Sequence, residues 1–204
     1  MKKFELTTEF ITNALGKKLF RIKALVEFGS VKAGELGGYA EKEENISQDG
    51  NAWVSGDARV YGNAWVSGDA WVSGDARVYG DAWVHGNAKV FGNAEVYGDA
   101  KVFGDACVYG DTEVSGDAKV SDNAEVSGDA DYALVKGFGT EFRCTTFYRD
   151  KNKKIMVNCG CFHGDLEAFR KQVKETRSGK IAKEYLMIAD LMEYHFTSED
   201  SSDE

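Results

Sequence analysis

Glycine returns at every sixth residue over a long central stretch, and this period constrains the fold more than any other feature of the chain. From residue 50 the sequence reads GNAWVS GDARVY GNAWVS GDAWVS GDARVY GDAWVH GNAKVF GNAEVY GDAKVF GDACVY GDTEVS GDAKVS DNAEVS GDADYA. That is fourteen hexads over residues 50–133 with no insertion. Position 1 is Gly except at Asp122, position 2 is Asn or Asp, position 3 is Ala except at Thr112, and position 5 is Val except at Tyr132. A period of six fits no α-helix. Val between variable neighbours is a short strand with Val inward and positions 4 and 6 outward. Ala at position 3 also points inward and suits a crowded corner. Gly followed by Asn or Asp is turn chemistry, because these residues tolerate positive φ. Each hexad is therefore one strand plus one corner. Three hexads close a triangular coil of 18 residues, and stacked coils share a Val/Ala core and parallel ladders. The chain has no proline, in keeping with a continuous ladder, since each proline would remove a donor.

The flanks predict further pieces. Residues 1–30 form a hairpin, with FELTTEFI and KKLFRIKAL as strands and Asn13 to Gly16 as the turn. Residues 31–49 are a degraded capping coil, with Leu36, Ala40 and Ile46 at inward positions, because a solenoid end must be shielded from water and edge pairing. Residues 134–196 hold a hairpin (EFRCTTFYR, a DKNKK turn, IMVNCG) and two helices. Asp165 caps the first helix, whose stripe is Leu166, Phe169 and Val173, and Gly179 stops it. The second runs from about Ile181 to Phe196, with Ile181, Tyr185, Ile188 and Met192 on one face. Residues 197–204, TSEDSSDE, are expected to be a disordered acidic tail.

The hexads resemble the hexapeptide-repeat family. The resemblance implies a mainly β fold, a left-handed parallel β-helix of about five to six coils with the N-terminal hairpin and C-terminal α+β segment attached. The flanking LFRIKALVEFGSVKAGELGGYAEKEENIS, FYRDKNKKIMVNCGCFHGDLEAFRKQVKET and KEYLMIADLMEYHF are similar to segments of phage- and prophage-encoded hexapeptide proteins of low-GC bacteria. That likeness implies a phage or prophage context and brings no established activity with it.

Charge narrows the function. The net charge is -9 and the pI is near 5.0, which argues against broad nucleic-acid or anionic-membrane binding. The hexads hold 14 acidic and 5 basic residues, which is 5 − 14 = -9, so the rest of the chain sums to zero. Aspartates recur at corners, as in the column Asp57, Asp75, Asn93, Asp111 and Asp129. An acidic rod could imitate DNA, but aspartate is the ordinary residue for such turns. No run of 18 apolar residues exists, and MKKFELTTEF lacks the apolar core of a signal peptide, so a cytoplasmic protein without disulfides is expected.

Residues 18 apart stack on one face of the prism. One face carries Trp53, Trp71, Lys89, Cys107 and Glu125, with Phe91 in an outward slot. The second carries Arg59, Arg77, Glu95, Glu113 and Asp131, beside Tyr61, Tyr79 and Tyr97. The third carries Trp65, Trp83, Lys101 and Lys119, with His85 and Phe103 alongside. All four tryptophans are expected to point outward, to meet sister chains or terminal segments folding back. Aromatic ladders also stabilise parallel rungs on their own account, so the tyrosines admit either reading.

The known chemistry of the resembled family is CoA-dependent acyl transfer, with a coil histidine as general base. Of three histidines only His85 lies in the coils, at an outward slot with Ser67 and Phe103 as rung neighbours. It has no carboxylate beside it in the repeat, and no insertion loop walls a substrate. Cys144, Cys159, Cys161 and His163 could supply four metal ligands, but the C-x-C spacing is wrong for a common zinc module, and small core residues are the competing account. The glycines of CGCFHG and KGFG are turns and not a phosphate loop. The expectation is a non-catalytic phage or prophage accessory protein, a homotrimeric binding or scaffold module with a protein partner of host or phage origin, such as a host defence factor, and with neither metal nor cofactor. An acyltransferase using His85 and coenzyme A is the alternative, and a structural virion or polymer component the third.

Overall fold

The computed structural model describes residues 2–197. Three longer strands, β1 (Phe4–Thr12), β2 (Lys18–Ala24) and β3 (Leu36–Ala40), precede thirteen two-residue strands, from β4 (Trp53–Val54) to β16 (Glu125–Val126). Each short strand is positions 4 and 5 of one hexad. Partners are 18 residues apart and parallel, as in Trp65↔Trp83 with Val66↔Val84, and Lys89↔Cys107 with Val90↔Val108. The chain therefore winds into a three-sided β-solenoid of about five turns. Every position-5 valine on these strands is fully buried, and so is almost every position-3 alanine, down the length of the prism. The corners need glycine for two reasons. Gly86 has φ +73°, and a Cβ there would lie 3.0 Å from the nitrogen and 3.1 Å from the oxygen of Gly104 on the next coil. Asp122 takes the same corner at φ 53° without being glycine.

The ladders are polar along the prism axis. Each rung donates its N–H to a carbonyl seventeen residues on, as Trp65 N does to Ala82 O at 2.9 Å. Unpaired carbonyls therefore face the N-terminal end and unpaired N–H groups the C-terminal end. The N-terminal cap supplies donors. Lys3 Nζ donates to Gly50 O (3.3 Å) and Ala52 O (2.9 Å), and Asn45 Nδ2 donates to Gly62 O (3.1 Å) and Ala64 O (2.8 Å). Burial pushes the Lys3 ammonium down to about 8, against the pull of Asp49 and Asp69.

The predicted hairpin and capping coil are present. β1 and β2 are antiparallel around a turn at Asn13, whose Oδ1 accepts from Leu15 N and Lys17 N. β2 pairs with β3, and β3 joins the prism in parallel through Ala40↔Val60. Ala40 and Ile46 are buried as expected, but Leu36 is half exposed. β3 begins there while its first prism pair is Tyr39↔Arg59, so Leu36 stands beyond the last rung. Trp53 meets a terminal segment folding back, one of the two contacts expected of the outward tryptophans. It is fully buried, with Phe4 and Phe28 edge-on to its ring at 6.4 and 5.4 Å. Gly37 lets Trp53 approach, since a Cβ there would come 2.7 Å from the indole.

At the other end the fourteenth hexad is not a rung. Asp131 is buried and folds back on Ser127, accepting from its N–H and its hydroxyl at 2.9 and 2.6 Å. It therefore does not extend the outward Arg/Glu column. The chain then enters a four-stranded antiparallel sheet of β17 (Tyr132–Phe138), β18 (Arg143–Arg149), β19 (Ile155–Cys159) and β20 (Phe162–Asp165). The predicted hairpin is its middle, and β17 and β20 are additional. One face of this sheet caps the prism: Tyr148 joins the prism core, Thr146 Oγ1 accepts from Lys119 N at 2.9 Å, and Asn158 Nδ2 donates to Lys119 O at 2.9 Å. The other face, with Phe147 and Val157, packs against α1 (Leu166–Thr176) and α2 (Gly179–Thr197). Asp165 caps α1 through Ala168 N at 2.7 Å, and Leu166, Phe169 and Val173 are its buried stripe, as expected. α1 ends at Thr176, and Gly179, at φ +58°, opens α2. On α2 the predicted Ile188 and Met192 are buried, with Ala189 and Phe196. The acidic tail after Thr197 lies outside the described residues. Among the described residues no helix is long and apolar enough to cross a membrane.

Candidate interaction face

The strand–corner alternation dictates what each face presents, because position 5 is spent on the core and positions 4 and 6 are left outside. On the face of Arg59, Arg77 and Glu95 the tyrosines form an intramolecular ladder. Tyr61 and Tyr79 stack at 4.9 Å with parallel rings, and Tyr79 and Tyr97 at 5.0 Å. Arg77 pairs with Glu95 at 2.7 Å, and Tyr79 and Tyr97 donate to Glu95 and Glu113 at 2.9 and 3.0 Å. Burial and the Glu95 carboxylate push the Tyr79 phenol upward. These side chains satisfy one another, so the self-stabilising account of the tyrosines is the better supported one. Phe91 stacks on Tyr109 at 5.0 Å in the same manner on the neighbouring face. Trp71, below Trp53 on that face, is partly buried and packs against the core.

The remaining two tryptophans differ. Trp65 and Trp83 meet edge to face at 5.6 Å and stay exposed at 38% and 41%. Lys101 Nζ lies 4.6 Å from the Trp83 ring centre, a cation–π contact that extends the column along the rungs. Trp83, Lys101 and Lys119 line a shallow depression with Asp81, Asp99 and Asp117 of the adjoining corner. The face thus offers an aromatic end, two cations and an acidic border.

His85 lies on this face too. Its ring stacks on Phe103 at 5.1 Å with parallel planes. Burial lowers its basicity, and Lys101 lowers it further. Neither influence favours the imidazolium that a general base must become, and among the described residues no carboxylate bonds the ring to orient it.

The four residues weighed as metal ligands do not converge. Thr145 pairs with Cys159 and donates to its sulfur at 3.1 Å on the helix-facing side of the sheet, while His163 pairs with Asn158 on the prism-facing side. Strand alternation therefore puts Cys159 and His163 on opposite faces. Cys161 is exposed at the turn between β19 and β20. Burial pushes the Cys144 thiol up, away from the thiolate that a metal needs. Among the described residues no three His, Cys, Asp or Glu side chains are placed to hold a metal.

Two groupings were not anticipated. The first joins the last coil to the cap. His163 Nε2 contacts Asp122 Oδ2 at 2.6 Å and Tyr148 Oη at 3.2 Å, and Tyr148 Oη is 3.0 Å from Ser121 Oγ. Burial drives the Tyr148 phenol up to about 12. Its sequence signal was the break in the repeat at Asp122. Ser121 is buried, so the cluster has the character of a polar dock for the cap. The second is a cleft between the cap sheet and the helices, where Arg143, Arg177, Cys159 and Tyr185 surround a floor of Phe162, Phe169 and Val173. No motif pointed to it.

A family model described as the YdcK beta solenoid repeat matches residues 52–68, 58–74 and 70–86. Successive windows start six and twelve residues apart, so the match follows the hexad register. No curated protein matches the chain.

Proposed function

We propose that the protein is a non-catalytic, self-associating binding module. In this reading the solenoid is a rigid post whose contact face is the column of Trp65, Trp83, Lys101 and Lys119. The observation that carries it is the pair of indoles left 38% and 41% exposed, when Trp53 is covered by the chain's own N-terminal segment and Trp71 is partly buried against the core. Rigid aromatics are what protein interfaces bury at their centres, and the lysines and the acidic border would lie at the polar rim around them. Three parallel prisms would each present this face to a neighbour, and the two capped ends would remain free for a further protein partner. The phage or prophage context implied by the terminal segments would place that partner in the bacterial host cell. An acyltransferase reading remains attached to His85, but its stacked ring and the lack of a described orienting carboxylate speak for a surface residue. A virion or polymer role would require open-ended association, whereas a cyclic trimer closes.

The test is light scattering at micromolar concentration. The expected mass is three chains, falling toward one in the Trp65→Ser, Trp83→Ser double variant with its circular dichroism unchanged. A parent protein that is monomeric throughout would overturn the reading, as would a trimer indifferent to both substitutions.

A further inference from the structure

Helix α2 carries two apolar stripes on opposite sides. At 100° per residue, Tyr185, Ala189, Met192 and Phe196 share one side, and they pack against the sheet and α1. Met187, Leu191 and Tyr194, spaced i, i+4 and i+7, share the other. These three are 61%, 59% and 72% exposed. A helix in a two-layer cap has one side to bury, and a second apolar side with this spacing marks a contact surface.

The charges around the outer stripe are asymmetric along the helix. Lys180 and Lys183 lie before Met187, with Glu184 on the other flank, where it pairs with Lys180 at 3.6 Å, and Asp190 and Glu193 lie after it. Lys183 is exposed and forms no ion pair with a described residue, while Asp190 is exposed and pairs with Arg170 at 2.8 Å. When two such helices pack antiparallel about a two-fold axis through Met187, residue numbers across the contact sum to 374. Lys183 then faces the Leu191 level of the second helix. At 100° per residue, Lys183 and Asp190 both fall on the same flank of the stripe, about 40° and 60° from Met187. The symmetry therefore places each Lys183 beside the Asp190 of the other copy, and Leu191 and Tyr194 over the stem of Lys183 and Lys180. A parallel arrangement would instead set lysine against lysine and acid against acid.

We infer that the outer face of α2 binds a second copy of this chain, through an antiparallel, two-fold α2–α2 contact centred on Met187. This contact is separate from the Trp65–Trp83 face and does not depend on it. Three apolar side chains per copy make a small interface, below the roughly 1,000 Å² of a stable complex, so the contact is weak and concentration-dependent.

A residue on a two-fold axis meets its own copy, and that supplies the test. Met187→Cys is made in a Cys161→Ser background to remove the exposed native thiol, and Trp65→Ser with Trp83→Ser is added so that the prism faces cannot bring chains together. Oxidation with copper phenanthroline at about 100 μM protein is expected to give a disulfide-linked dimer on a non-reducing gel. Lys171→Cys, on an exposed part of α1, is the control and should give several-fold less. Adding Leu191→Glu or Lys183→Glu to the Met187→Cys protein should reduce cross-linking several-fold, and Lys183→Glu with Asp190→Lys should restore it. Cross-linking of Met187→Cys no faster than the Lys171→Cys control would overturn the inference. So would a yield unaffected by Leu191→Glu. Neither result bears on the Trp65–Trp83 face, which those proteins lack.

Discussion

Val84→Asp or Val102→Asp is expected to unfold the solenoid. Val66, Val84, Val102 and Val120 form one column in register, all with no solvent exposure. A carboxylate in that column would have valine above and below it and no partner. Burying it unpaired costs several kcal/mol, and proteins of ordinary stability have only about 5–15 kcal/mol in total. The chain cannot swing the aspartate outward either, because a one-position slip would turn every inward residue of the rung to the wrong side. Far-ultraviolet circular dichroism should lose its cooperative thermal transition, or show it tens of degrees lower. A melt matching the parent would mean that position 5 does not face the core.

Trp53→Ala is expected to cost about 3–5 kcal/mol, the range for emptying a large aromatic site. Trp53 is the largest fully buried side chain, and Phe4, Phe28 and the Gly37 backbone are shaped around it. Its loss would detach the hairpin from the first coil. Trp53→Phe should cost clearly less. Trp53 Nε1 is buried with no hydrogen-bond partner in the described structure, and phenylalanine leaves no such donor to satisfy, a relief of about 1–3 kcal/mol. Urea titrations of the three proteins measure this directly. If Trp53→Ala unfolds at the parent's midpoint, the indole does not hold the N-terminal segment down.

The prism was legible because its determinants are local and repeated. A hexad carries its own corner and its own strand, and stacking only multiplies them, so the 18-residue register and the valine columns follow from the spacing. The limits of the reading lie where the determinants are distant. Position 4 is outward in the repeat, yet whether it meets water depends on what covers it. Trp53 and Trp65 occupy equivalent slots, and the former is buried by Phe28 and Phe4, 25 and 49 positions earlier, while the latter is not. The fourteenth hexad keeps the Gly-Asp-Ala sequence, but Gly128 is extended at φ −161° instead of taking the left-handed corner, Tyr132 stands where Val should be, and Asp131 turns the chain out of the ladder. β20, read as FHGD, is too short and glycine-broken to announce itself, and without its pairing the opposite facing of Cys159 and His163 could not be deduced. The outer stripe of α2 was in the sequence all along, but it acquires meaning only once the inner stripe is seen to be occupied.

The claim at the centre of this account is that the prism is a surface for partners and not a site for chemistry. Isothermal calorimetry tests it most directly, by titrating acetyl-CoA and coenzyme A into the protein and into His85→Ala. The prediction is no binding heat and no thermal shift with either ligand, for either protein. Micromolar binding by the parent that His85→Ala abolishes would contradict the account and make the stacked imidazole the base of an acyltransferase.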